Sequence, residues 1–249
     1  MGMSPRLLRP RATGFDPRTI SGLALWLDVT RLSSLTFNGS NVSQANDLSG
    51  GAYHFTQSTG ANQPAYVAAG MNGKPAIQFT SSAANLMNSS ATIANVVGSP
   101  TSSPQFTIFS VMKLPSGTSQ LTFGSNSDAN GRLLYVVRFG AATFLDAVNA
   151  TDGRLGITIT QAEAEAVGLH TLYRSGATQT VRYNGAEKAT KTNASSNYLV
   201  TTATVQLGKA VGVGQDGIFS EQLWYNRALS ALEISTVEKY LAAKFGVTI

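Results

Sequence analysis

Glu163-Ala-Glu165 is the one close pair of carboxylates in the chain, and glycoside hydrolysis needs two carboxylates facing one cleft, about 5 to 9 Å apart. On a strand that spacing would turn both side chains toward one face. The surrounding Gln161-Ala-Glu-Ala-Glu-Ala166 reads instead as an exposed helical turn, so the chain is expected not to be an enzyme. A serine nucleophile has no support either. Gly-x-Ser-x-Gly does not occur, and His54 and His170 have no sequence-level partner. Both read as structural histidines, His170 packed at the start of a strand and His54 hydrogen-bonded in a loop. With no cysteine, a disulfide framework, a thiolate zinc site and a cysteine nucleophile are excluded together.

Binding chemistry has more candidates. Gly212-Val-Gly214-Gln-Asp-Gly217 satisfies the dinucleotide fingerprint literally, but a strand pattern follows it rather than the helix N-terminus that would receive a pyrophosphate. Asn126, Asp128 and Asn130 resemble the oxygen-rich start of a calcium loop. The bidentate glutamate of an EF-hand would fall at Val137, so only a lectin-like Ca2+ site or a plain polar hairpin loop is left. Trp26 and Trp224 fall inside apolar runs and read as packing anchors. Tyr53, Tyr66 and Tyr198 sit in polar stretches, where a tyrosine either stacks on a sugar ring or pins its loop to the body.

The elements that must position these residues read as strands. Apolar runs of strand length recur from Leu23 to Tyr225, each closed by Gly, Asn, Asp, Ser or Pro, and several alternate with period two. Asn184-Gly185 predicts a type I′ hairpin turn, and Asp152-Gly153 a second tight turn, which makes antiparallel pairing the default. One segment differs. Ser230-Ala-Leu-Glu233 is a capping box, Ile234, Val237, Leu241 and Phe245 follow at helical spacing, and Gly246 stands at the stop. A helix over about residues 231–244 is therefore expected against a β-sandwich.

Charge is concentrated at one end. Only 12% of the 249 residues are charged, yet the formal net charge is +5. Residues 1–18 hold Arg6, Arg9, Arg11 and Arg18 against Asp16 alone, so the body is nearly neutral and is clothed by twenty-six serines, twenty-six threonines and fifteen asparagines. Pro5, Pro10 and Pro17 keep this arm extended, and its arginines pair bidentately with carboxylates. Leu7-Leu8 is far too short for a signal sequence, and no apolar stretch has the length of a membrane span. Near-neutrality of the body argues against nucleic acid as the partner.

The segments Phe15-Asp-Pro17 through Trp26-Leu-Asp28, Asn46-Asp47-Leu-Ser49-Gly50 with His54, Gln57 and Asn62-Gln-Pro64, Asn72-Gly73-Lys-Pro75 through Phe79, and Glu221 through Ser230 carry a resemblance. Together they resemble laminin-G-like, concanavalin A-like jelly-roll domains of bacteriophage and bacterial proteins, over roughly residues 15–249. The position before Asn46 is often Trp in that family and is Ala45 here, which speaks against an aromatic platform at that loop. The resemblance implies an all-β antiparallel jelly-roll sandwich (residues 19–249), with an extended basic arm (residues 1–18) and one C-terminal helix. It also implies a virion structural protein on the particle surface, made in the host cytoplasm. The leading expectation is a capsid decoration or cement protein in many copies or as a homo-oligomer, with Arg6, Leu7, Leu8, Arg9 and Arg11 of the arm docking on a capsid or other virion protein. The alternative is a carbohydrate-binding or host-receptor adhesin module contacting glycan through Tyr53, Tyr66 and Tyr198.

Overall fold

The computed structural model describes residues 14–115, 120–126, 131–138, 143–148, 153–192, 199–208 and 216–249. Arg6, Leu7, Leu8, Arg9 and Arg11 of the arm lie outside them, as do Tyr198, Asp128, Asn130, Asp152, Gly212 and Gly214.

Strand-forming segments dominate. In chain order they are β1 (Leu23–Asp28), β2 (Leu35–Asn38), β3 (Asn41–Ala45), β4 (Phe55–Thr56), β5 (Ala65–Met71), β6 (Lys74–Phe79), β7 (Met87–Thr92), β8 (Phe106–Lys113) and β9 (Gln120–Ser125). They continue as β10 (Arg132–Arg138), β11 (Thr143–Val148), β12 (Arg154–Ile157), β13 (Gly168–Ser175), β14 (Thr178–Tyr183), β15 (Ala186–Thr192), β16 (Thr204–Leu207) and β17 (Gly217–Tyr225). Helices are few: α1 (Ile93–Val96), α2 (Gln161–Glu165) and α3 (Ala231–Phe245).

Pairing is antiparallel along one continuous ladder that folds back on itself into two layers. One layer runs β15-β14-β13-β8-β17-β1, with β6 sharing the β1 edge of β17. The chain crosses through β5 and β3 into the second layer, β4-β7-β16-β9-β10-β11-β12. Phe123 of β9 lies against Trp224 of β17, ring centroids 6.0 Å apart, and the Tyr135 hydroxyl of β10 meets His170 Nδ1 of β13 at 2.9 Å. This is an antiparallel β-sandwich of jelly-roll type closed by one C-terminal helix.

Period two decides which side each strand residue serves. Leu25, Leu27, Ile108, Leu172 and Trp224 face the second layer. Trp26, Phe109, Val111, Leu169, Leu223 and Tyr225 face the other way, where α3 covers them with Ile234, Val237, Leu241 and Phe245. Every residue of β17 is therefore buried. Each helix side chain of this size contributes about 1.5 to 3 kcal/mol on full burial. The capping box forms as expected, with Glu233 N donating to Ser230 Oγ and Ser230 N to Glu233 Oε2, and Gly246 ends the helix at φ +65°.

The Asn184-Gly185 turn has φ +47° and +76°, as a type I′ turn demands, and joins β14 to β15. Tyr66 departs from expectation, because it lies on β5 rather than in a polar loop. The run Ala65-Tyr-Val-Ala-Ala-Gly-Met hides its strand character: its register slips between Val67 and Met71, which destroys the alternation. Strand β15 is hidden differently, being so exposed on both faces that no apolar face marks it.

Candidate functional site

The buried charges are the first place to look for chemistry, and their geometry makes them scaffold. Asp28 and Glu221, paired across β1 and β17, lie beneath α3 at 2% and 0% exposure. Lys244 Nζ reaches Glu221 Oε2 at 2.6 Å and Asp28 Oδ2 at 2.8 Å. Trp26 Nε1 and the Tyr240 hydroxyl each donate to Glu221 Oε1 at 3.0 Å, and Arg31 Nε donates to Asp28 at 3.0 Å. Burial, then the neighbouring Asp28, pushes the Glu221 carboxyl up to about 7. On the same helix Glu238 takes both Arg182 Nε and Nη2 and the Thr171 hydroxyl. Every carboxylate here is sealed from solvent and engaged by its own chain.

The histidines behave as structural residues. Burial drives His170 down to about 3, so the neutral ring shares a hydrogen bond with Tyr135. His54 Nδ1 accepts from Asp47 N at 3.1 Å. Asp47 organises the whole 46–54 loop, its oxygens accepting from Trp26 N, Ser49 N, Ser49 Oγ and Tyr53 N. Tyr53 is thereby pinned: half-buried against the core, its ring crowds Gly51 so closely that a Cβ there would sit 2.6 Å from it.

Glu163 and Glu165 lie on α2, the exposed helical turn read from the sequence. The Glu163 carboxylate holds Lys188 at 2.8 Å and closes the Thr160 cap, contacts that keep it below the usual carboxylate range, the Lys188 bond foremost. A surface depression of about 460 Å³ opens beside it, lined by Ala162, Tyr183, Asn184 and Lys188 among others. Its polar groups are largely spent: the Tyr183 hydroxyl donates to Glu163 O, and Asn184 Oδ1 accepts from Leu169 N. At the calcium candidate, Asn126 Oδ1 accepts from Thr204 N. Among the described residues, no group of three His, Asp or Glu side chains could hold a metal ion. No helix among them is long and apolar enough to cross a membrane.

What is presented outward is the β2–β3 hairpin. Gly39, at φ +62°, turns the chain, and a bulge between Thr36 and Phe37 re-aims the side chains that follow. Phe37 is 42% exposed and is the exposed aromatic residue among those described. Tyr66 stands edge-on to it, centroids 5.3 Å apart at 89°, while its other side packs on the core. Beside them Asn38 Nδ2 donates to Gln63 Oε1 at 3.0 Å. Gln63 is itself locked, donating to Gln57 O and accepting at its carbonyl from Asn85. The Gln57, Asn62-Gln63 segment is thus the lattice behind an aromatic edge. A ring held edge-on with one side free offers an apolar platform, and the amides at its rim offer donors and acceptors.

Of the three tyrosines singled out from the sequence, Tyr53 and Tyr66 do not converge. Tyr66 N bonds Ser40 O just before β3 and Tyr53 N bonds Asp47 just after it, so the five residues of β3 lie between them, about 16 Å at strand rise. Tyr198 lies outside the described residues. Sequence reasoning misses Phe37, whose available signal is its place one residue before the Asn38-Gly39 turn of a polar hairpin.

The fold is thus an antiparallel β-sandwich of jelly-roll type that presents an aromatic edge on its β2–β3 hairpin. No protein-family model matches the chain, and no curated protein matches it in sequence. Solved structures do. The binding domain of Paraclostridial Mosquitocidal Protein 1 superposes with a TM-score of 0.64 at 14% identity, over 87% of this chain and 52% of that one. Domain 4 of AbnA, a GH43 extracellular arabinanase from Geobacillus stearothermophilus solved with arabinotriose, gives 0.60 at 15% identity, over 87% and 98%. The binding domain of botulinum neurotoxin serotype G gives 0.60 at 12%, over 89% and 51%. The chain spans about half the length of the mosquitocidal-protein and neurotoxin chains and nearly all of the arabinanase domain. At these identities the likeness is one of fold.

Proposed function

We propose that the chain is a carbohydrate-binding or receptor-binding module whose contact edge is Phe37 with Tyr66, flanked by Asn38. The observation that carries this reading is the half-exposed Phe37 ring, braced edge-on by Tyr66 on a hairpin whose backing amides are all fixed. The neighbours support it, since two are binding domains, of a mosquitocidal protein and a neurotoxin, and the third was solved with arabinotriose. Binding without catalysis fits this reading, since Asp28 and Glu221 are buried under α3 and Glu238 is buried on it, Glu163 holds Lys188, and Asp47 is spent on its own loop. A glycan array read with the intact protein and with Phe37→Ala tests it. Hits that vanish in the variant, while the thermal transition is unchanged, support the edge; an array without hits for the intact protein refutes glycan as its ligand.

Capsid decoration through the arm is the second proposal. The arginine- and proline-rich sequence of residues 4–11 favours it, and nothing in the fold neighbours supports a virion role. Deleting residues 1–14 and measuring occupancy on particles decides it, since undiminished occupancy excludes anchoring by the arm.

A further inference from the structure

Five buried side-chain polar atoms have no hydrogen-bond partner among the described residues, and four of them belong to Gln222, Ser110 and Trp224. All three residues are 0% exposed. They are also neighbours by register. Gln222 of β17 lies opposite Ser110 of β8, and Ser110 lies opposite His170 of β13, so the three form a row across the sheet. Leu27 and Tyr183 continue the row on either side, and both belong to the sandwich interior. Trp224 is two residues beyond Gln222 and shares that face. Tyr135 reaches the row from the opposite layer through its bond to His170. A polar seam therefore crosses the core, sealed on both sides.

Left dry, such a seam would carry the full desolvation cost of each unpaired group, which exceeds what a made hydrogen bond returns. Its inventory is complementary to one small molecule. Gln222 offers an acceptor and two donors, Ser110 one donor and an acceptor, and Trp224 a donor only. Direct neighbours across a sheet have Cβ atoms about 5 Å apart, so the Gln222 and Ser110 side chains are close enough to share one small polar partner. Buried waters typically make two to four bonds to groups of this kind.

We infer that the sandwich interior contains a built water site, in which ordered water bridges Gln222, Ser110 and the Trp224 indole N–H beside the His170–Tyr135 pair. This site is independent of the aromatic edge and stands or falls without it. Water–protein cross-relaxation in the rotating frame, recorded on the intact protein, reads it directly. The expected result is cross-peaks from Trp224 Hε1 and the Gln222 side-chain amide protons to long-lived water, with the Trp224 cross-peak lost in Gln222→Leu. Absence of any water cross-peak at Trp224 Hε1 in the intact protein overturns the inference. So does a small organic molecule found by native mass spectrometry on the intact protein and absent from Gln222→Leu, because the seam would then be a ligand site.

Discussion

The two faces of β17 treat buried polarity in opposite ways. Toward α3, Glu221 is met by Lys244, Tyr240 and Trp26, and its neighbour Asp28 by Lys244 and Arg31. One residue along and on the other side, Gln222 has no partner among the described residues. A buried carboxylate must be matched by its own chain, because nothing as weak as a neutral dipole offsets its desolvation. A buried amide can leave that task to water. The helix face is thus where charge ties α3 to the sheet, and the interior face is where neutral groups share a hydrated seam.

The sharpest way to break this contrast is at Lys244. Lys244→Met leaves Asp28 and Glu221 facing each other with less compensation, and the loss is expected to be about 3 kcal/mol, moderated by Arg31 staying on Asp28. Chemical denaturation measures it. A loss below about 1 kcal/mol would mean that the charges do not hold the helix.

Each face also carries a group whose shift falls in the acid-to-neutral range, Glu221 toward α3 and His170 toward the interior, and the two act in opposition. Glu221 is raised from 4.5 to about 7 by burial and then by Asp28, so its contribution to stability is complete below about 4.5 and is lost as pH rises through 7. His170 is lowered from 6.5 to about 3 by burial, so its contribution is present above 6.5 and is lost as pH falls toward 3. Between pH 4.5 and 6.5 the two cancel. Glu221→Gln is expected to uncover a loss of stability on acidification through that window, and His170→Gln a loss on raising the pH. Each slope should be at most about 1.4 kcal/mol per pH unit. Identical profiles for both variants would contradict the assigned directions.

Part of this was legible in the sequence. The capping box at Ser230, the stripe Ile234–Phe245 and the Gly246 stop rest on local rules, and α3 obeys them. The apolar runs of β1, β8, β13 and β17 are visible because burial on both faces leaves them no polar alternation to confuse. Strands β5 and β15 are not visible, since a register slip erases the pattern in one and exposure on both faces in the other. The candidate site is harder still. Tyr66 could be picked out as an aromatic residue in a polar stretch, but its partner Phe37 is twenty-nine positions away and is brought there only by the pairing of β3 with β5. The seam depends on three strands meeting in register, which no local pattern encodes.

Smaller effects sharpen the comparison further. Gln222→Leu replaces an amide of the seam with an apolar group of similar volume but leaves Ser110 and the Trp224 N–H without their shared partner, so its stability to chemical denaturation is expected to fall by about 1 to 2 kcal/mol. That loss is smaller than the one expected for Lys244→Met on the opposite face. Phe37→Ala, at an exposed ring, is expected to change stability by about 0.5 kcal/mol or less.

Glycan binding at the Phe37–Tyr66 edge is tested most directly by titration calorimetry of the intact protein and Phe37→Ala with an array-selected oligosaccharide. The account predicts saturable binding by the parent and an affinity lower by about tenfold or more in the variant, a difference of about 1.4 kcal/mol. Equal affinities for the two proteins, with both folded, would contradict it.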